Sequence, residues 1–241
     1  LNISLEEIKY IIVTHIHLDH AGGAGLLLKD CPNAKVIVHP RGKRHLHDPT
    51  KLIAGARAVY GQSFDDLFEP IVPIPIDSLI EMNHLDKLHL SNERTLVFYD
   101  TPGHSRHHFS IFDNRANIFF TGDTIGIRYP ALERKGVPFF LPSTSPNQFD
   151  PTAMLDSLKM IEKVAPQQIA FGHFGATNKT NIVFEQMRKW IPLFVEKAKL
   201  AYEKGHDHHE LKEMIMEEVK TYLSSFHIND EDDVYETIQL D

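Results

Sequence analysis

The sequence predicts an α/β fold, and three observations carry that expectation. Short, uninterrupted runs of β-branched and apolar residues, such as YIIV (10–13), mark strands buried on both faces. Segments of helical character stand between such runs, so strands and helices alternate along much of the chain. At four places an apolar strand ends and polar residues follow at once: Val13–Thr14, Tyr99–Asp100, Phe120–Gly122 and Phe171–Gly172. Strand ends and the loops after them are where rigid scaffolds hold reactive groups.

Taken in order, SLEEIK (4–9) reads as a short helical turn, with Ser4 as cap and Glu7 three residues on, as in a capping box. The strand 10–13 follows, then a helix with a glycine-rich start over 22–30. AKVIVHP (34–40) is a second buried strand stopped by Pro40, and 49–61 is helical with Pro49 near its start. PIVPIPID (70–77) is too rich in proline for a central strand. Strands are expected over 94–100, 107–113 and 117–123, with DNRAN (113–117) turning a hairpin between the last two. The stretch 126–151 has five prolines and little periodicity, and a long structureless loop inside a compact domain is usually functional. A helix over 152–164 and a strand over 167–171 come next, and from about 181 to 241 the pattern is helical, broken at 205–209. The Met/Ile/Val/Leu stripe of 210–223 reads as core packing that also offers a surface for a homodimer.

Composition narrows the function classes. A chain of 241 residues suits one large domain or two small ones, and 42% hydrophobic residues suffice for a sizeable core. A net charge of −8 argues against a nucleic-acid partner but leaves room for a small-molecule anion met by local Arg and Lys. A single cysteine, Cys31, excludes an internal disulfide framework and suits a reducing, cytoplasmic setting. No apolar run has the length of a membrane span, and no signal peptide is visible.

The residues after the four strand ends are metal-ligand types. The first end gives His15, His17, Asp19 and His20; the others give His104 (DTPGHS), Asp123 (FFTGDT) and His173 (AFGHFGA). In an extended segment His15 and His17 point to one side. A third histidine from another strand end would complete three nitrogen ligands and leave an open position, the catalytic rather than structural zinc pattern. Asp19 and His20, at the start of a helix, can turn toward a second ion with His173, and Asp123 is the natural bridge. A single histidine in any of these places would read as a satisfied core or loop residue, but H-x-H-x-D-H after an apolar strand, with three more ligands at strand ends, does not. GGAG (22–25) lacks the Gly-Lys-Ser/Thr of a phosphate loop, so close backbone packing beside the ions is the expectation there.

THIHLDHAGG, TPGHS, TGDT and GHFG together resemble the metallo-β-lactamase-fold hydrolase superfamily, over roughly residues 8 to 180. The resemblance implies a four-layer αββα sandwich with a dinuclear site along one edge. It implies His15, His17 and His104 on the first metal, Asp19, His20 and His173 on the second, and Asp123 bridging. TPGHSRHHFSIFD followed by FFTGD is similar to the glyoxalase II-like and lactonase-like branches rather than the nuclease branches. The family's pattern puts further strands, usually with an Asp-Thr-Gly, before the first motif, so the opening strands are expected to be missing from a sequence that begins at Leu1. The expected organisation is a metallo-β-lactamase-fold domain over 1–180 and a helical region over 181–241 packed on it.

The expected activity is a metal-dependent hydrolase acting on an ester, thioester, lactone or phosphodiester. Two divalent ions, zinc first and iron or manganese next, would sit roughly 3.5–4 Å apart and lower the pKa of a bound water toward about 7. Asp19 is the expected catalytic carboxylate, ligating and also taking a proton. Arg41, His45 and Tyr129 are candidates to face the substrate. His108 is expected to support the site rather than react, His39 to be structural, and HDHH (206–209) to be a solvated helix start. One rival is a mononuclear iron sulfur dioxygenase on the same scaffold, since GDTIGIR resembles persulfide dioxygenase-like members. Flavodiiron-like members carry Glu where this chain has His17, which counts against that version. The other rival is a non-catalytic metal-binding module.

Overall fold

The computed structural model describes residues 3–144, 147–229 and 231–238. A 3-10 turn at Leu5–Glu7 opens it, and Ser4 and Glu7 form the reciprocal capping box that their spacing allows. Strand β1 (Tyr10–Ile12) leads into α1 (Leu18–Ala21) and α2 (Ala24–Asp30); β2 (Lys35–Val38) leads into α3 (Pro40–His47), α4 (Thr50–Tyr60) and α5 (Phe64–Phe68). Then come β3 (Leu79–Glu81), β4 (Lys87–His89), β5 (Thr95–Asp100), β6 (Phe109–Asp113) and β7 (Ile118–Gly122). The pair β8 (Ile127–Arg128) and β9 (Phe140–Leu141) flanks α6 (Pro130–Arg134). Helix α7 (Pro151–Val164), strands β10 (Gln168–Phe171) and β11 (Ala176–Thr177), and the long helices α8 (Thr180–Lys204) and α9 (His208–Ser224) follow.

Two sheets lie face to face. One is parallel, in the order β1-β2-β3; the other is mixed, in the order β11-β10-β7-β6-β5-β4. The side-chain period of two builds the layers. Val36 and Val38 pack on one side with Ile16, Ala21, Ala24 and Leu46 of the α1–α3 segment. Ile37, between them, packs on the other side with Leu88, Leu96, Phe98, Phe109 and Ile111 of the second sheet. The outer face of that sheet, through Phe119 and Ile169, packs on Met154, Leu158 and Ile161 of α7 and Val183, Phe184 and Met187 of α8. The order helices, sheet, sheet, helices is the expected αββα sandwich.

Three readings are corrected by packing. Residues 10–12 are half-buried, because β1 has β2 as its sheet partner on one side only. Pro40 not only stops β2 but starts α3, as its first helical residue. The stretch 126–151 is not structureless: it holds β8, α6 and β9, and it sends Tyr129, Leu132, Val137, Phe139 and Leu141 into a core with Trp190 of α8 and Ile215, Val219 and Leu223 of α9. The apolar stripe of α9 is therefore buried within its own chain. Among the described residues no helix is long and apolar enough to cross a membrane.

Candidate metal centre

The strand ends deliver their side chains to one point. The ring Nε2 of His15 and Nε2 of His104 each lie 3.0 Å from Nδ1 of His17. Ligand nitrogens about 2.0–2.1 Å from one tetrahedral ion stand about 3.3–3.4 Å from each other, so this spacing suits a shared cation. On the neighbouring side Asp19 Oδ2 is 3.1 Å from His20 Nε2 and 3.5 Å from His173 Nε2. Asp123 Oδ2 faces both groups, at 3.3 Å from His20 Nε2, 3.4 Å from His173 Nε2 and 3.7 Å from His104 Nε2. All seven predicted ligand residues thus fall in one cluster, and their ligand atoms group as His15/His17/His104, His15/His20/Asp123 and Asp19/His20/His173.

The donor set fits divalent metal by its chemistry. His20 Nε2 and Asp123 Oδ1 are buried polar atoms with no hydrogen-bond partner, although carboxylate oxygens lie near the first. Buried polar groups without partners are rare and call for an explanation such as an ion. The two triads also differ electrostatically. Burial, helped by the neighbouring His104, holds His17 down to about 4, and burial likewise depresses His15 and His104. Those three rings are neutral at pH 7, with lone pairs available. Burial opposes charge on His20, but the Asp123 and Asp19 carboxylates override it and raise the ring to about 9; His173 rises to about 10 beside Asp123 and Asp19. Burial pushes the Asp19 and Asp123 carboxyls up, yet His173 and His20 more than offset it and hold both well below the usual carboxylate range. The Asp19 and Asp123 carboxylates therefore favour positive charge on the ligands beside them, here protons on His20 and His173.

A ring of supports fixes these ligands. His104 Nδ1 donates to the Ser143 carbonyl at 3.0 Å, which leaves Nε2 as the free ligand atom. With His15 Nε2 in the cluster, its Nδ1 donates to Thr14 Oγ1 at 3.1 Å. His108 is fully buried and stacked on His15; its Nε2 accepts from the Asp123 backbone N–H at 3.2 Å. Its Nδ1 then donates to Thr101 Oγ1 at 3.0 Å, and the chain continues through Ser110 Oγ to the Thr121 carbonyl. Two glycines let the strands come close. At Gly122, with φ +51°, a Cβ would stand 2.5 Å from His108 Nε2; at Gly172 one would collide with Asp123 Oδ1 and stand 2.8 Å from His20 Cε1. Phe174, after His173, holds a left-handed φ of 65°, and Arg128 anchors it by donating to its carbonyl at 2.7 Å while pairing with Glu133.

Other sequence candidates separate. Arg41 and His45 line a cleft of about 850 Å³ beside the cluster. Tyr129 does not join them: it is 2% exposed in the core with Phe139 and Trp190, so its phenol is closed to substrate. His39 is structural, capping α3 by accepting from the Arg41 N–H and bonding Asp100 through Nε2. Asp207 caps α9 in a reciprocal box with Glu210, so HDHH is a helix start. Gly25 meets the Val72 carbonyl of the 70–77 loop rather than the ligand cluster, which corrects the packing expected for GGAG. Ser143, Arg128 and His107 were not legible as site residues, because their partners arrive from distant parts of the chain.

The family model described as the metallo-beta-lactamase superfamily matches residues 1–173. The metallo-beta-lactamase fold-containing protein ST1585 of Sulfurisphaera tokodaii is 31% identical over 190 residues, covering 78% of this chain and 68% of that protein. The crystal structure of that archaeal superfamily protein superposes with a TM-score of 0.66 at 27% identity, over 78% of this chain and 70% of the other. A peroxy diiron species of the chemotaxis sensor ODP from T. denticola shares the fold, with a TM-score of 0.53 at 17% identity over 77% of this chain and 71% of the other.

Proposed function

The chain belongs to the metallo-beta-lactamase superfamily, and from that premise we propose that it is a metal-dependent hydrolase of the glyoxalase II-like and lactonase-like side, acting on an ester, thioester, lactone or phosphodiester. The observation that carries the reading is the pair of ligand groups meeting at one carboxylate, Asp123 Oδ2, within 3.3–3.7 Å of nitrogens from both. His15, His17 and His104 would hold one divalent ion, Asp19, His20 and His173 the other, with Asp123 shared. When bound, two such ions, zinc by this reading, supply a nucleophile from water at neutral pH and polarise the substrate oxygen.

The chain's own residues do the rest. With ions bound, the neutral rings of the first triad would leave the charge of that ion uncompensated, while Asp19 and the shared Asp123 would offset charge on the second side. Asp19 is the open carboxylate, with its side chain 43% exposed against 4% for Asp123. It is therefore the group that can take a proton from the attacking water and deliver it to the leaving oxygen or sulfur. Thr14 and Ser143 hold the His15 and His104 rings with Nε2 toward the cluster, and His108 accepts from the Asp123 backbone N–H.

The test is a panel of ester, thioester, lactone and phosphodiester substrates on metal-analysed protein, with and without chelator. Hydrolysis that is lost on chelation and restored by zinc supports the proposal; a fully metal-loaded protein inactive on every class overturns it. Iron as the retained metal, with sulfur-dependent oxygen uptake, would replace it by the sulfur dioxygenase reading.

A further inference from the structure

The cleft beside the metal centre has the wrong charge for this chain. The protein carries a net charge of −8, yet Arg41, Lys43, Arg44 and Arg106 all line this one cleft, against a single carboxylate, Glu81. Lys43 engages Glu81 at 3.6 Å. Among the described residues Arg41, Arg44 and Arg106 face no carboxylate at ion-pair distance, in contrast to Arg57, Arg94, Arg128 and Arg188, which each do. Three unneutralised guanidinium groups gathered on a concave surface repel one another, and an anion between them removes that repulsion.

The sequence builds this face deliberately. In α3, Gly42 and Leu46 turn inward, where a Cβ on Gly42 would press on Ile16 and Val38. Arg41, Arg44 and His45, at spacings of three and four, share the opposite face. Arg106 arrives from the loop before β6, whose backbone is fastened by Arg106 N donating to Gln148 Oε1 at 2.9 Å. The next residue, His107, lines the cleft and is itself buried, with its ring centroid 5.3 Å from that of the ligand His17. The cleft thus abuts the metal centre, and its volume of about 850 Å³ is that of a small-molecule site, typically about 300–1,000 Å³.

We propose that this cleft recognises the anionic end of the substrate: a small ester or thioester whose end remote from the scissile bond carries a phosphate or a pair of carboxylates. The planar forks of Arg41, Arg44 and Arg106 bind such oxygens in bidentate fashion, and His45 and Gln148 add polar contacts. The position of the anion fixes the reach of the scissile carbonyl past His107 to Asp19 and Asp123. This assignment of substrate class rests on the hydrolase reading for its kinetic consequence, while anion binding itself does not.

The experiment compares zinc-loaded wild type with Arg41→Gln, Arg106→Gln and the double variant. Three S-acetyl thiols of equal length, ending in methyl, carboxylate or phosphate, are the substrates, and pyrophosphate and succinate are titrated in by calorimetry. In wild type, kcat/KM should favour the phosphate-ended thioester over the methyl-ended one by about tenfold or more, an advantage that shrinks with added salt. In the double variant that ratio should fall toward one through KM, and pyrophosphate affinity should drop by about tenfold or more. Equal kcat/KM for the neutral and anionic thioesters in wild type, or equal pyrophosphate affinity in wild type and double variant, overturns the assignment. Should no thioester turn over while the wider substrate panel is hydrolysed, the thioester assignment is overturned; should every class fail, it is the hydrolase reading that has failed, and the titration alone decides the anion site. Both arginines are exposed, so the variants fold, which a thermal melt verifies.

Discussion

Replacing Asp123 by asparagine keeps the shape of the side chain and removes one negative charge from the point where both ligand groups meet. Its Oδ2 lies 3.3 Å and 3.4 Å from the His20 and His173 nitrogens and 3.7 Å from that of His104, and the side chain is 4% exposed. Asp19, the other carboxylate, ion-pairs with His20 and His173 alone, so nothing nearby replaces the bridge. Removing one partner from a buried charged group costs about 3–5 kcal/mol. At about 1.36 kcal/mol per tenfold, that is a loss of about 10²–10⁴ in affinity for the second ion. The assay is metal content after dialysis, together with kcat/KM on whichever ester or thioester the wild type hydrolyses. Asp123→Asn should keep close to one equivalent and lose at least about 10² in kcat/KM. Two retained equivalents with a wild-type rate would refute the bridging assignment and the electrostatic reasoning behind it.

Three further outcomes follow from the same geometry. Gly172→Ala places a Cβ against Asp123 Oδ1 and His20 Cε1, so it should lower occupancy of the second site while the fold, judged by circular dichroism, persists; full two-metal occupancy would contradict the close approach. Tyr129→Ala should cost about 3 kcal/mol of stability by opening a cavity in the core it shares with Phe139 and Trp190, with metal content per folded molecule unchanged; a wild-type melting temperature with lost activity would return Tyr129 to the substrate site. The chelated protein should be less stable on both sides of pH 6.5. On the acid side His17, held at about 4 when folded, refuses a proton that the unfolded chain accepts from 6.5 downward, so stability falls as pH drops. On the alkaline side the contributions of His20 and His173, full below 6.5, are lost as pH rises through about 9 and about 10. A melting temperature of the chelated protein that stays flat from pH 6.5 to 10 would contradict those raised values.

The ligand cluster was legible because its chemistry sits in short local motifs. His15, His17, Asp19 and His20 fall within six residues after β1, and His104, Asp123 and His173 each follow a strand that composition alone identifies. The αββα layering was expected from the family resemblance those motifs carry, and the structure builds it by turning Val36 and Val38 to one side and Ile37 to the other. What stayed hidden depends on long-range contacts. The segment 126–151 reads as loop because its buried residues are short, irregularly spaced pieces, and only α8 and α9, far along the chain, cover them. Tyr129 looked like a pocket residue for want of that partner. Arg106 and His107 carried no local signal either, since their meaning comes from α3, sixty residues earlier, which lines the same cleft.

The most direct test of a dinuclear centre is to add zinc stepwise to the chelated protein while following hydrolysis of whichever ester, thioester, lactone or phosphodiester the panel shows to be turned over. With two ligand groups that share Asp123, activity should stay low through the first equivalent, rise with the second and level off at two. Full activity at one equivalent, or none at two, would contradict a dinuclear hydrolytic centre built on these seven residues.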